Sequence, residues 1–431
     1  MRGLRFAPLL LVLSVSLAQA AAMKVPKRPR EFPPTGPAPQ ETKRNPLDFI
    51  IRNLRMTTPV GPLLFIPLVD TNKDIGFRSG IMPIWAFRDR RGDGIAAVLA
   101  PSVRYNRFLK TEYTGRAYFF PNERDLVVVR GSYSSVVNRE IFLRYFTREF
   151  LGTNFRLNTE LHLFRDGKFS FYGFGPDSVD GDQANFSKYK IGEEVTVGIP
   201  TAKHWFLELS HSNFQYQLGA GPITNLRPLS EVFPNQAILG WKRLVSHGAA
   251  ITYDSTDHPS LPTRGGLITL SARTAQTALG SDYTCQTYAS QLKYYQNMVD
   301  GKYVTVANLY FEQQRGDILP FYAQTVVGES TGLRLEGDGR FVDRGRMVFN
   351  IEERIRVARS PLLKFFSEVE ISPFLDVGTV FPQPGKLRFD NLQPGPGIAA
   401  RVLLRPQVVI TADVAWRGSK KNFILKVDYP F

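Results

Sequence analysis

The feature that most constrains this chain is a two-residue period running from about residue 75 to its end. In 203–212, Trp205, Leu207 and Leu209 fall on one face, and Glu208, Ser210 and Ser212 on the other. In 367–377, Val369, Ile371 and Leu375 oppose Glu368, Glu370, Ser372 and Asp376. Residues 407–416 set Val408, Ile410, Ala412, Val414 and Trp416 against Gln407, Thr411 and Asp413. The last segment sets Phe423, Leu425, Val427, Tyr429 and Phe431 against Lys426 and Asp428. Successive side chains of a strand point to opposite faces, so each segment reads as a strand with one apolar and one charged face. Seventeen such segments are read near 75–86, 94–106, 109–120, 125–136, 139–149, 154–165, 187–199, 203–218, 237–254, 264–276, 283–298, 302–314, 345–358, 366–380, 395–404, 406–416 and 420–431.

A soluble sandwich carries such a pattern in a few strands, and here the number is too large and the start of the chain is an export signal. Arg2 and Arg5 precede an apolar core, Phe6–Leu17, and a small-x-small cleavage site, Ala18-Gln19-Ala20. No Cys follows that site, so lipoprotein processing is not expected. No later stretch approaches the roughly 20 apolar residues that a spanning helix needs. A closed barrel hides its lipid face in alternation and leaves no sheet edge unpaired. The expected fold class is therefore all-β, a transmembrane antiparallel β-barrel in the bacterial outer membrane. A bacterial barrel with both ends on the periplasmic side has an even number of strands. One of the seventeen is then surplus, and sixteen are expected, with the surplus placed in 109–165, where turn signals are weak.

The domain reading follows: residues 1–20 a signal peptide, 21–74 a periplasmic tether and lead-in, and 75–431 the barrel. The tether holds Pro26, Pro29, Pro33, Pro34, Pro37 and Pro39 among Lys24, Lys27, Arg28 and Arg30, a composition that stays extended. The long connections near 166–186, 219–236 and 317–344 are expected on the extracellular side. Cys285 is the only cysteine, so no intrachain disulfide can form and stability must come from packing and the hydrogen-bonded ladder. The formal charge is +15, and removing residues 1–20 takes two Arg and no acid, leaving +13. An exported chain with no nucleic-acid motif does not use that charge on nucleic acid. A charged lumen and anionic lipid headgroups, lipopolysaccharide among them, are its expected partners.

Three stretches together resemble the barrel of the BamA/TamA superfamily, the bacterial surface-antigen family. The most specific is Leu333-Arg334-Leu335-Glu336-Gly337-Asp338-Gly339-Arg340-Phe341-Val342-Asp343-Arg344, in the longest connection. After it come Val348-Phe349-Asn350-Ile351-Glu352-Glu353-Arg354-Ile355 and Phe374-Leu375-Asp376-Val377-Gly378-Thr379-Val380-Phe381. A further block, Tyr253-Asp254-Ser255-Thr256-Asp257-His258-Pro259-Ser260-Leu261-Pro262-Thr263-Arg264-Gly265-Gly266, is similar to the family's periplasmic turn before a mid-barrel strand. Phe171-Tyr172-Gly173-Phe174-Gly175-Pro176-Asp177-Ser178 is a weaker match. The resemblance implies that the 317–344 connection is the sixth extracellular loop, folded back into the lumen and bearing an arginine motif. Where the family has Gly and then an aromatic after that arginine, this chain has Leu335 and Glu336.

Charge pairing gives the motif a physical role. An arginine on an in-folded loop can bridge carboxylates of the inner wall, and such pairs are strongest away from water. By alternation Glu352 and Asp376 point into the lumen, so they are the expected partners of Arg334, with Arg340 adding a second bridge. Gly337 and Gly339 would let the loop turn tightly against the wall. Glu353, by the same alternation, faces lipid. The aromatic end Tyr429-Pro430-Phe431, with Tyr429 and Phe431 on one face of the final strand, is what the resemblance implies as a C-terminal assembly signal.

The family's implied function is insertion or translocation of proteins at the outer membrane. Its mechanism rests on weak pairing between the first and last strands, expected here at Ile75–Phe87 and Lys420–Phe431. Family members that do this carry periplasmic POTRA domains, and 21–74 is too short and proline-rich for one. The chain is therefore expected to work with a separate periplasmic partner and client outer-membrane proteins, or to have taken another task. The alternative is a passive channel or surface antigen without assembly activity. An enzyme is not expected: His162, His204, His211, His247 and His258 lack metal-ligand spacing. No cofactor and no metal are implied.

Overall fold

Alternation in the sequence becomes inside and outside of a closed wall. The computed structural model describes residues 55–428 apart from 59–60, 73–75, 89–94, 123, 238–239, 259–260, 363–364 and 405–407. The segment read as a signal peptide, most of the segment read as a tether, and Tyr429 and Phe431 lie outside the described residues. The wall begins with β1 (Gly61–Asn72), β2 (Gly76–Arg88) and β3, which has two segments, Ile95–Leu99 and Ser102–Asn106. It continues through β4 (Lys110–Phe119), β5 (Asp125–Ser134), β6 (Arg139–Thr147), β7 (Arg156–Phe171) and β8 (Ala184–Ala202). Next come β9 (Trp205–Ala220), β10 (Lys242–Asp254), β11 (Gly265–Ala275), β12 (Cys285–Met298) and β13 (Tyr303–Gly316). The last five are β14 (Gly345–Leu362), β15 (Phe365–Phe381), β16 (Gln393–Leu404), β17 (Val408–Arg417) and β18 (Lys420–Asp428).

Each strand pairs antiparallel with the next, and one registered pair, Thr71 opposite Phe423, returns β18 to β1. Where sixteen strands were expected, eighteen run consecutively around the sheet among the described residues, beside the short strands Arg55–Thr58 and Arg227–Pro228. All seventeen segments read from the alternation are strands, and none is surplus. The parity was made even by a strand that the reading had left out. That strand is β1, inside the segment read as lead-in, where Pro62 and Pro67 argue against a central strand. Proline has no N–H for the ladder and is tolerated at a sheet edge. β1 is such a strand: one edge pairs fully with β2, while the other meets Arg55–Thr58 at one end and Phe423 at the other. Pro83 of β2 obeys the same rule, since the register sets it opposite Pro101, where β3 is interrupted.

In β15, Glu368, Glu370, Ser372, Phe374 and Asp376 are buried, while Ile371 and Leu375 are exposed on the lipid side. The outer face elsewhere shows Leu209, Ile251, Leu270, Leu292, Leu309 and Trp416. The lumen is not uniformly polar. Leu64, Leu68, Met82, Ile84, Val98 and Val128 form an apolar cluster on the inner side of the first strands. Ile410, Val402 and Leu425 of the closing strands pack against it. The two ends of the sheet are thus joined by one registered pair and by apolar packing.

Strand lengths differ around the wall. β8 has 19 residues and β18 has 9, against the roughly 9–11 that a tilted strand needs to cross a bilayer. The long connections 172–183, 221–241, 276–284, 317–344 and 382–392 all leave the end opposite the termini. Aromatic contacts knit three of these connections together: Phe171, at the end of β7, lies with its ring centroid 4.1 Å from that of Phe321 and 4.8 Å from that of Phe233.

Candidate functional site

The 317–344 connection enters the lumen because its own residues are apolar at the right places. Thr325–Val327 pairs with Phe341–Asp343 as a small ribbon. Val327, Leu333 and Phe341, all buried, pack on Val348 of β14 and Val380 of β15. Burying side chains of this kind contributes roughly 1.5–3 kcal/mol each, enough to hold the loop against the wall. A tight turn then reverses the chain, with the Arg340 amide donating to the Gly337 carbonyl at 3.3 Å. Gly339 sits at φ +81°, and a Cβ there would stand 2.7 Å from the Ser170 carbonyl oxygen, so only glycine fits.

Arg334 leaves this loop toward the carboxylates that alternation places inside. Its Nε donates to Asp376 Oδ2 at 2.8 Å and its Nη2 to Oδ1 at 2.9 Å. The Arg334 amide adds a third bond to Oδ2 at 3.1 Å. Nη1 lies 3.5 Å from Glu352 and 3.7 Å from Asp413. The guanidinium centre is 3.3 Å from the centroid of the Phe374 ring, so one plane is stacked while the edge is hydrogen-bonded. Burial alone would lower the Arg334 pKa. The bonds to Asp376 and the charges of Glu352 and Asp413 overcome it and hold the group above its ordinary value. Asp376, with no exposed surface, also accepts from Asn350 at 2.8 Å. Asn350 in turn donates to the Gly332 carbonyl at 2.6 Å, a second tie between wall and loop.

Glu352 is the centre of a larger network. Arg401 on β16 grips it with two bonds of 2.8 and 2.7 Å and also donates to Ser372 at 2.9 Å. Arg354 adds a bond of 2.7 Å. One carboxylate thus joins three guanidiniums from a loop and two strands. The sequence reading brought Arg334, Glu352 and Asp376 together and missed Arg354, Phe374, Arg401 and Asn350. Asp413 had been placed inward by alternation without a partner. Glu353, expected toward lipid, accepts from the hydroxyl of Thr305 across the strand pair at 2.6 Å.

Leu335 and Glu336, where the chain departs from the family pattern, are both buried. Leu335 packs on Phe374, Ala399 and Ala415. Glu336 is bound by Lys420 of β18 and lies 3.5 Å from Arg417 of β17. Asn422 of β18 donates to the Arg334 carbonyl at 2.8 Å. The loop therefore touches both the wall and the strand that closes it.

The second bridge expected from Arg340 is not made to Glu352 or Asp376. Arg340 donates to the hydroxyl and carbonyl of Ser178 at 2.8 and 2.7 Å and pairs with Asp180 at 3.1 Å. The turn at Gly337–Arg340 reverses the chain after Arg334, so Arg340 faces the neighbouring 172–183 connection. There Phe174 bridges Val342, and the Gly175 amide donates to the Val342 carbonyl at 2.9 Å. Arg340→Ala is expected to leave the barrel's thermal midpoint within a few degrees of the parent. Proteolysis should then cut 173–182 several-fold faster, and an unchanged cleavage rate would show that Arg340 does not order that connection. His211 and His247 face each other on adjacent strands with ring nitrogens 3.1 Å apart, a pairing that spacing did not reveal. No third histidine, cysteine or carboxylate joins them in a metal-binding group among the described residues.

Residues 125–422 match the Omp85 superfamily domain. Among solved structures, the chain is similar to BamA from Haemophilus ducreyi lacking POTRA domains 1–3. The TM-score is 0.51 at 13% identity, over 84% of this chain and 73% of that one. CdiB from Escherichia coli gives 0.43 at 10% identity, over 86% and 62% of the two chains. CdiB from Acinetobacter baumannii gives 0.41 at 10%, over 85% and 59%. At such identities the likeness to BamA speaks for the fold alone. No curated protein matches the chain.

Proposed function

Because the chain belongs to the Omp85 superfamily, we propose that it is an outer-membrane barrel that inserts or translocates polypeptides by parting its wall between β18 and β1. The observation that carries this reading is the seam. Thr71 and Phe423 are its one registered pair among the described residues, whereas β17 and β18 share nine and β1 and β2 share ten. Backbone pairing is what makes a barrel wall costly to open in lipid. A junction with one pair is where opening costs least. The loop supports the same reading: Glu336 and Asn422 tie it to β18, so its position and that of the closing strand are linked. A lumen occupied by a packed loop also disfavours a wide diffusion pore. Client outer-membrane proteins, a separate periplasmic partner and the surrounding lipid are the partners this reading requires.

The test locks the seam. In a Cys285→Ser background, Thr71→Cys and Phe423→Cys place two thiols on registered neighbours, whose Cβ atoms stand about 4.5–5.5 Å apart in an antiparallel pair. Quantitative outer-membrane proteomics after depletion should show a defined set of proteins falling. Either single variant should restore them, and the cross-linked double variant should not. Full restoration by a double variant shown to be cross-linked on a non-reducing gel would end the lateral-opening reading. An unchanged proteome on depletion would turn the assignment to a passive channel or surface antigen.

A further inference from the structure

Behind the seam lies a second polar constellation, separate from the loop anchor. A cavity of about 420 Å³ is bounded by the inner faces of the first strands and by β18. Its lining includes seven arginine or lysine residues and four aspartate or glutamate residues. Three of these cations have carboxylate partners. Arg130 is held by Glu140 at 3.0 and 2.6 Å, Arg104 lies 3.9 Å from Glu112, and Lys168 lies 3.3 Å from Asp166.

Arg116, Arg139 and Arg165 pair with no carboxylate among the described residues; of the three, Arg116 donates to the Ser102 hydroxyl at 2.9 Å. It also stands directly opposite Arg130 in the β4–β5 register. Like charges set directly opposite each other in a strand pair are destabilising, so the wall carries a repulsion that a bound anion would remove. Farther along the same strands, toward the end of the barrel that holds the termini, the inner face turns apolar. Met82 and Ile84 of β2 and Leu126 and Val128 of β5 are all buried there. The chamber is therefore basic above and apolar below, and it is walled on one side by Asn422 and Ile424 of the seam strand.

We propose that this chamber binds a phosphate group, carried either by a lipid headgroup or by a soluble phosphate compound. Glu140 already offsets Arg130, so the charge left for a ligand is that of Arg116, whose fork of N–H donors fits the several oxygens of a phosphate, with Arg130 one cross-strand spacing away. The assignment does not depend on the insertion reading, since it concerns occupancy of the lumen and not movement of the wall.

The experiment uses the full chain purified in a non-ionic detergent. One arm titrates pyrophosphate calorimetrically, with hexaglutamate as the carboxylate comparison. The other incubates the protein with phosphatidic acid or with diacylglycerol and counts retained lipid by native mass spectrometry. Binding of pyrophosphate alone assigns a soluble source, and retention of phosphatidic acid but not diacylglycerol assigns a headgroup. In either arm Arg116→Gln should weaken binding roughly tenfold or more, the loss of one charge-assisted pair. Arg116→Lys, which keeps the charge but not the fork, should weaken binding less than Arg116→Gln does, and Arg388→Gln, on an exposed connection, should change nothing. Folding of each variant is read from heat-modifiable gel mobility. Should Arg116→Gln not fold, Arg116→Lys and the salt dependence of wild-type binding carry the test, because phosphate held by arginines must weaken as salt rises. Failure of both probes to bind, an unchanged affinity in folded Arg116→Gln, or tighter binding of hexaglutamate than of pyrophosphate would overturn the assignment.

Discussion

Arg334→Ala is expected to destabilise the folded barrel by about 3–5 kcal/mol, the usual cost of leaving one member of a buried pair uncompensated. The mutation removes two side-chain bonds to Asp376 and the cation from the face of Phe374. Asp376 would be left with no exposed surface and with Asn350 and the residue-334 amide as its remaining donors. Urea unfolding followed by heat-modifiable mobility would show the midpoint falling. Arg334→Lys should recover only part of the loss, because an ammonium is a point charge that can neither fork onto both oxygens nor stack on the ring. Adding Asp376→Asn to Arg334→Ala should return some stability by removing the buried charge, giving a coupling of about 0.5–3 kcal/mol between the two sites. A midpoint for Arg334→Ala within experimental error of the parent would show that the loop is held by Val327, Leu333 and Phe341 and not by the arginine. The same variant tests the proposed lock: a barrel that folds yet fails to restore the depleted proteins would tie the arginine to activity.

Glu352→Gln is expected to be comparably severe, for the opposite electrostatic reason. Glu352 is 7% exposed and is shared by Arg334, Arg354 and Arg401. The amide keeps the shape of the side chain but removes the one charge that lets these guanidiniums converge. Asp376 would still hold Arg334, whereas Arg401 would keep Ser372 and at most one bond, to the single amide oxygen that replaces the carboxylate. A loss of about 3–5 kcal/mol follows from leaving a buried cation unpaired. Glu352→Gln should also regain stability as salt is raised, and more than the wild type does, because added anions screen the repulsion. Combining it with Arg401→Met should be less damaging than the two losses added together, since the second change removes the cation that the first left exposed to its neighbours. If the combined variant is simply additive, Arg401 and Glu352 are independent and the network does not act as one.

What was legible from the residues was what depends on period. Side-chain direction in a strand is decided within two residues, so Glu368, Glu370, Ser372 and Asp376 could be sent inward, and Ile371 and Leu375 outward, without any knowledge of the neighbours. Turn residues marked where most strands stop for the same local reason. β1 escaped because Pro62 and Pro67 are poor in any strand with two full neighbours, and that β1 has only one is a property of closure. The parity of the wall was sound as a rule, yet it could not say whether a strand should be removed or added.

Partner choice was legible only in part. Arg334, Glu352 and Asp376 were placed together by family likeness and alternation, but Arg401 lies 49 residues from Glu352 and no local pattern couples them. Arg340, six residues after Arg334, follows a turn that points it at Ser178 and Asp180. The Arg116–Arg130 opposition exists only once β4 and β5 are in register. By itself the sequence determined seventeen of the strands, the face of most of their side chains and the loop that carries the arginine, because these follow from a period of two and from single-residue conformational limits. The tertiary structure alone decided the eighteen-strand closure, the one-pair seam and which charge meets which, because those depend on where apolar packing docks segments that are far apart in the chain.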